Sequence, residues 1–377
     1  MSETAEAITS ATVAAQVRLT RDAARKLART SAEERNQILL TAADLIEKRA
    51  AEILGANQID CELLDREIAA GNASQALAKR LKTSSAGIQD MAKQVRDVAR
   101  LEDPVGRVIA ATELDDDLVL RKVSCPLGVI AVIFESRPDA VPQVGLLAIK
   151  TGNGLVLKGG AEARQTNRVL VSIWREAMAL HGGSFTEAIC ALEDRTEVMQ
   201  ILKMDREIDL VIPRGSNEFV NYVFQHSRIP VLGHGSGICH IYVDSAADLN
   251  MAKEVIVDAK TQYPAACNSV EKVLVHQDIA RKFLPALIAT LQSAGVEVLG
   301  CPQTIHYASN SNTVGAMEPN IIPATEEDWH TEYGDLKITI KVVPSIDDAI
   351  THINHYGSRH TESILTGNQK AAEKFMD

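Results

Sequence analysis

Gly128-Val129-Ile130-Ala131-Val132-Ile133-Phe134 is where the chain declares its fold: a glycine opens an unbroken apolar run. Similar runs recur at Leu155–Leu157, Ala188–Leu192, Asp209–Ile212 and His240–Val243. Helical stretches such as Glu162–Leu180 and Thr196–Met204 lie between them. Strands that are apolar along their whole length, alternating with helices, predict a parallel, doubly wound sheet covered on both faces. Residues 250–366 predict a second α/β set, with strands near Val270–Val275, Val296–Leu299, Ile338–Val343 and Ser363–Thr366. Residues 5–100, ahead of both, read as helical. Ser31-Ala32-Glu33-Glu34 has the spacing of a capping box, and Ile88, Met91, Val95 and Val98 form an apolar stripe at helical period. Between the helices and the first sheet, two apolar runs flank the acidic turn Asp115-Asp116-Asp117, which predicts a hairpin over 107–124.

The 377 residues suit about two domains. At 46% hydrophobic and 24% charged, the composition is that of a globular protein with a real core. A formal charge of −11, 4% aromatics and no basic cluster exclude a nucleic-acid partner. No apolar run approaches the length of a membrane span, so no membrane partner is expected. The N-terminal residues lack the basic and apolar regions of a secretory signal, and they carry Glu3 and Glu6 before the first Arg, unlike a mitochondrial presequence. A cytoplasmic location is the expectation.

Six cysteines, at 61, 125, 190, 239, 267 and 301, contain no CxxC pair, and no His/Cys spacing suggests zinc, so no metal is expected. Most should be inert thiols packed as small hydrophobes. Cys267 stands apart in Tyr263-Pro264-Ala265-Ala266-Cys267-Asn268, where small neighbours let a carbonyl approach the sulfur. Turn cysteines are common, and the pattern alone does not decide. In Gly152–Gly160 a strand ends in Lys158-Gly159-Gly160 and a helix follows. Backbone approach at the glycines, a helix N-terminus and a lysine together suit a phosphate. Pro213-Arg214-Gly215-Ser216-Asn217 repeats the device after the next strand but one. Two such turns fit a dinucleotide at strand carboxyl ends, although the GxGxxG fingerprint is absent and ordinary loop punctuation reads equally well.

Five stretches then carry a resemblance. GVIAVIFESRP at 128–138 is similar to the start of the cofactor domain of the aldehyde dehydrogenase superfamily, in the form typical of the γ-glutamyl phosphate reductase (glutamate-5-semialdehyde dehydrogenase) family. LVIPRGSN at 210–217, IPVLGHGSGICHIYVD at 229–244, DAKTQYPAACN at 258–268 and VPSIDDAITHINHYGSRHTESI at 343–364 resemble that family more narrowly. The resemblance implies two doubly wound α/β domains: cofactor-binding at 1–106 and 125–245, catalytic at 246–366. It makes 107–124 an oligomerisation hairpin and 367–377 the start of a C-terminal segment. It aligns Cys267 with the catalytic nucleophile. It implies NADPH held by Ser136, by Lys158, Gly159 and Gly160 at the adenosine end, by Arg214, Gly215 and Ser216 at the pyrophosphate and nicotinamide, and by Glu332 at the nicotinamide ribose.

One departure is informative. Aldehyde-oxidising relatives carry a Glu-Leu-Gly-Gly motif whose Glu activates water, whereas this chain has Val231-Leu232-Gly233-His234-Gly235. Hydrolysis of a thioester needs a general base. Reduction of an acyl phosphate does not, because phosphate leaves and hydride replaces water. The implied reaction is NADPH-dependent reduction of L-glutamyl 5-phosphate to glutamate 5-semialdehyde in proline biosynthesis. Cys267 forms a thioester, and backbone amides and Asn268 hold the oxyanion. Arg137 is a candidate substrate contact or a structural ion pair; His360 donates to the substrate carboxylate or caps a loop. Cys239 is expected to be a packing residue. The family usually continues for several tens of residues beyond the position of Asp377, so a truncated isoform with impaired assembly and activity is expected, a homo-oligomer being the natural state with the tail. The rivals are an ordinary NAD-dependent aldehyde dehydrogenase and a non-catalytic protein that only interacts, for instance with a glutamate 5-kinase.

Overall fold

The computed structural model describes residues 3–73, 75–135, 137–215, 217–309 and 320–377. The chain divides into two compact units, Met1–Gly233 and His234–Asp377.

In the first unit, helices precede the sheet. The expected capping box starts the helix Ala32–Lys48: Glu34 N–H donates to Ser31 Oγ (3.2 Å) and Ser31 N–H to the Glu34 carboxylate (2.8 Å). The expected stripe buries Ile88, Met91 and Val95 of the helix Ser85–Ala99. The hairpin follows as β1 (Val108–Asp115) and β2 (Leu118–Val123), antiparallel, with every residue exposed. Strands β3 (Val129–Ile133), β4 (Gly154–Lys158), β5 (Ile189–Leu192) and β6 (Leu210–Pro213) then form a parallel sheet in the order β5-β4-β3-β6. Alternation along β3 explains its uniform apolarity. Val129, Ala131 and Ile133 enter one buried cluster and Val132 the other, on the opposite face. The order reverses between β3 and β6, so the carboxyl ends of these strands border a switch-point crevice.

The second unit carries β7 (Cys239–Val243), β8 (Val270–His276), β9 (Glu297–Gly300), β10 (Ile321–Pro323), β11 (Lys337–Val343) and β12 (Glu362–Leu365) in the order β10-β9-β11-β8-β7-β12, all parallel. The division between the compact units falls after Gly233, ahead of the expected boundary after residue 245, and β7 pairs with β8 and β12 in the second sheet. The residues expected to open a separate C-terminal segment form a helix, Gln369–Met376, started by the Asn368 side chain, whose Phe375 packs against the cluster of Tyr242, Leu274, Val343 and Ala349. Strand β10 had no counterpart in the sequence reading; only three residues long and largely exposed, it offers no apolar run to read.

Candidate active site

Four adjacent strands of the second sheet, β11, β8, β7 and β12, run parallel, so the loops leading into them gather along one edge. Each loop delivers something. The turn before β8 carries Cys267, half-buried, and Asn268, exposed. The loop before β11 carries Glu332, that before β7 carries His234 and Gly237, and that before β12 carries His360. The site therefore lies at the amino edge of the sheet, opposite to where the usual rule for open α/β sheets would look.

The turn is built locally. The helix Leu249–Thr261 ends, Ala266 N–H donates to Tyr263 C=O (3.0 Å), and Ser269 N–H to Ala266 C=O (2.9 Å). Ser269 Oγ ties the turn back to Ala259 C=O (3.0 Å). Gly237 passes directly over it: a Cβ there would lie 2.0 Å from the Cys267 carbonyl oxygen. Its N–H donates to Glu332 Oε2 (2.9 Å), fixing the strand of backbone that covers the turn. Cys239, first residue of β7, is buried, and its thiol donates to the Cys267 carbonyl (3.2 Å). Burial pushes that thiol up to about 12, which leaves it protonated and a poor nucleophile. One ring nitrogen of His360, one of His234 and the Cys267 sulfur lie within 4.8 Å of one another. The two rings meet edge to face at 4.5 Å, and His360 Nδ1 also contacts Thr361 Oγ1 (2.8 Å).

Beneath the turn runs a buried charge network. Lys260 and Glu271 are both inaccessible and pair at 3.2 Å. The Glu271 carboxylate also accepts the N–H groups of Tyr333 and Gly334, each at 3.3 Å. Lys272, equally buried, donates to Thr331 C=O (2.8 Å) and stands over the Tyr333 ring at 4.2 Å. Burial pulls Lys272 down to about 8 and drives Glu271 upward. The network thus clamps residues 331–334, and through them Glu332, Gly237 and the Cys267 turn. Sequence reading did not find Glu271, since a charged residue in a strand carries no signal of burial. Gly237 lay unremarked within the 229–244 stretch, and His234 was noted only as part of the segment that lacks a carboxylate.

In the first unit, Lys158 closes β4 and is buried, and that burial pulls its ammonium below the usual lysine range; its Nζ donates to Gly159 C=O (2.5 Å). Gly159 and Gly160 line a cleft at the carboxyl ends of β4 and β5, with Asn167, Arg164 and Arg168. A Cβ at Gly159 would lie 2.2 Å from Asn167 Nδ2, and one at Gly160 1.9 Å from Glu162 Oε1. Asn167 Oδ1 is buried without a hydrogen-bond partner among the described residues. Arg137 is half-buried just past β3. Arg214 N–H donates to Ile133 C=O (2.7 Å), which sets Arg214 and Gly215 beside the end of β3 at the switch point. Ser136 and Ser216 lie outside the described residues.

A sequence model of the Aldehyde dehydrogenase family matches residues 2–305. The γ-glutamyl phosphate reductase of Pelotomaculum thermopropionicum is 50% identical over 361 residues, 96% of this chain and 79% of that protein. That of Natronomonas pharaonis is 47% identical, covering 97% of this chain and 81% of that protein. The chain belongs to the γ-glutamyl phosphate reductases of the aldehyde dehydrogenase family. It is therefore an oxidoreductase, and the expected fold holds. The crystal structure of the Thermotoga maritima γ-glutamyl phosphate reductase superposes with a TM-score of 0.88 at 38% identity, covering 97% of this chain and 85% of that one.

Proposed function

We propose that the chain reduces L-glutamyl 5-phosphate to L-glutamate 5-semialdehyde in proline biosynthesis, with NADPH as reductant and Cys267 as the covalent nucleophile. The observation that carries this reading is the half-buried Cys267 on a turn held from three sides, by Gly237, Cys239 and Ser269. Its rival sulfur, Cys239, is buried and kept protonated.

The Cys267 thiolate adds to the γ-carbonyl carbon, forming a C–S bond and a tetrahedral oxyanion. In this reading backbone N–H groups near Cys267 and the Asn268 side chain hold that charge. The C–O bond to phosphate breaks and phosphate leaves, with Arg137 as its cationic contact. NADPH, when bound, supplies the hydride that turns the thioester into a thiohemiacetal. Breaking the C–S bond then frees the semialdehyde and returns the thiolate. Residues 231–235 contain no carboxylate to direct water at the thioester, and the Glu332 carboxylate is engaged by Gly237 N–H. This favours reduction of an acyl phosphate over the aldehyde oxidation of the NAD-dependent rival.

The cofactor fits the first unit. An orphaned buried Asn167 Oδ1 and glycines at which a Cβ would crowd Asn167 and Glu162 line one cleft, and a desolvated Lys158 precedes those glycines in the chain. In this reading Lys158, Gly159 and Gly160 hold the adenosine end, Arg214, Gly215 and the flanking Ser136 and Ser216 the pyrophosphate and nicotinamide, and Glu332 the nicotinamide ribose. His360 contacts the substrate carboxylate. The first unit is the cofactor domain and the second the catalytic domain, and the hairpin joins copies of the chain. The reaction is a cytoplasmic one, with the labile acyl phosphate delivered by a glutamate 5-kinase. Oxidation of the semialdehyde by NADP⁺ should require phosphate or arsenate, and Cys267→Ser should abolish it while NADPH binding persists. Turnover by the Ser variant, or turnover independent of phosphate, would refute the reading.

A further inference from the structure

We propose that His234, Cys267 and His360 form a site for a thiophilic divalent cation, Zn²⁺ by ligand type, which caps the nucleophile and switches the enzyme off reversibly. The residues are far apart in sequence and come from the loops before β7, β8 and β12, which is why no ligand spacing betrays them. Each supplies one donor atom, and the three atoms lie within 4.8 Å of one another, all half-buried. Tetrahedral zinc takes thiolate sulfur at about 2.3 Å and imidazole nitrogen at about 2.0–2.1 Å, which sets neighbouring donors roughly 3.3–3.8 Å apart. Small side-chain rotations close that gap. Two imidazoles and one thiolate are the soft donor set that selects zinc over magnesium or calcium.

Water takes the fourth position. Cys239 is close, its sulfur 3.7 Å from His360 Nδ1, but its thiol is spent on the Cys267 carbonyl. Binding displaces the Cys267 thiol proton to solvent and forms the S–Zn bond. The sulfur lone pair that would attack the acyl carbon is then engaged, and a dissociating metal restores it. A second group, Glu326, His330 and His355, is fully exposed and has no sulfur, and Tyr356 OH already donates to Glu326 (2.6 Å). It serves as the internal control.

The inhibitory consequence rests on Cys267 as nucleophile; the binding itself does not, so the two are read separately. Cobalt(II) titrated into the full chain should give a thiolate-to-cobalt charge-transfer absorption saturating at one equivalent. Cys267→Ser should remove the band, Cys239→Ser and His355→Ala should keep it. Zinc should inhibit the reductase reaction and a chelator should restore it. His234→Asn and His360→Asn should each raise the zinc concentration for half-inhibition at least about tenfold, since even supporting residues of such sites are worth 10–100-fold. A cobalt–thiolate band that survives Cys267→Ser, or zinc inhibition unchanged in both histidine variants, overturns the site. Loss of turnover in Cys267→Ser with no cobalt band in the wild type would leave the reductase mechanism standing and remove this proposal alone.

Discussion

Gly237 shows how a residue with no side chain governs one with a reactive side chain. Its Cα faces the Cys267 carbonyl so closely that a methyl group would overlap it, and its N–H is the group that Glu332 holds. Gly237→Ala must therefore displace the backbone of Cys267, the proposed nucleophile, by something near an ångström. Misplacement of that size costs on the order of 100-fold in rate. The variant should lose about that much in kcat/KM while NADPH affinity, read by fluorescence, stays within about twofold. Unchanged kcat/KM would mean that the turn tolerates movement and that its geometry does not matter to the chemistry. Cys267 itself was legible in the sequence through its small neighbours and its resemblance. Gly237 was not, because a glycine reports a close approach only once the approaching atom is known.

The element that organises the site is β8, together with the loop before β11. Glu271 and Lys272 sit side by side on β8, and both reach the 331–334 backbone, one through its carboxylate and one through its ammonium. Breaking a buried pair strands the partner charge, at a cost of about 3–5 kcal/mol. Glu271→Ala should lower unfolding stability by that amount in urea titration. The double change Lys260→Met with Glu271→Leu should recover most of the stability, because apolar replacement of a buried pair is close to neutral. It should not recover activity, because the Tyr333 and Gly334 amides lose their acceptor and Glu332 loses its anchorage. A double variant as active as the wild type would show that the clamp plays no part in positioning the site. The strands themselves were readable: β3, β4 and β7 are largely buried and largely apolar, and Val273–Val275 continues the pattern in β8. The clamp was hidden because Glu271 and Lys272 look like surface residues until the fold covers them. The assignment of β7 to the second sheet was hidden because its pairing is set by tertiary partners far along the chain, Val270–Val275 and Glu362–Leu365.

For the molecule as a whole, each unit keeps its own core, and the hairpin of the first unit contributes to none of these buried clusters, with Val108, Ile109, Leu118, Val119 and Leu120 about half exposed or more. Each of its strands pairs only with the other among the described residues. A two-stranded ribbon is marginal in water and its open edges invite pairing. Sedimentation should show the chain associating, and Val119→Lys combined with Leu120→Glu should shift it toward monomer. A wild type already monomeric would remove the hairpin's role in assembly. Apolar residues on both strands of a hairpin were visible in the sequence, but whether a domain or another copy covers them is not a property of local pattern.

The proposed reaction turns on Cys267 carrying the acyl group. Mixing the enzyme with semialdehyde and NADP⁺ without phosphate stops the reverse reaction at the thioester. After acid quench and trypsin, Cys267 lies in the peptide Thr261–Lys272 and Cys239 in Ile229–Lys253, so mass spectrometry separates the two sulfurs. A glutamyl adduct on Thr261–Lys272, formed in step with NADPH and discharged by added phosphate, is the result expected. An adduct on Ile229–Lys253, or NADPH produced with no adduct on either peptide, would contradict it.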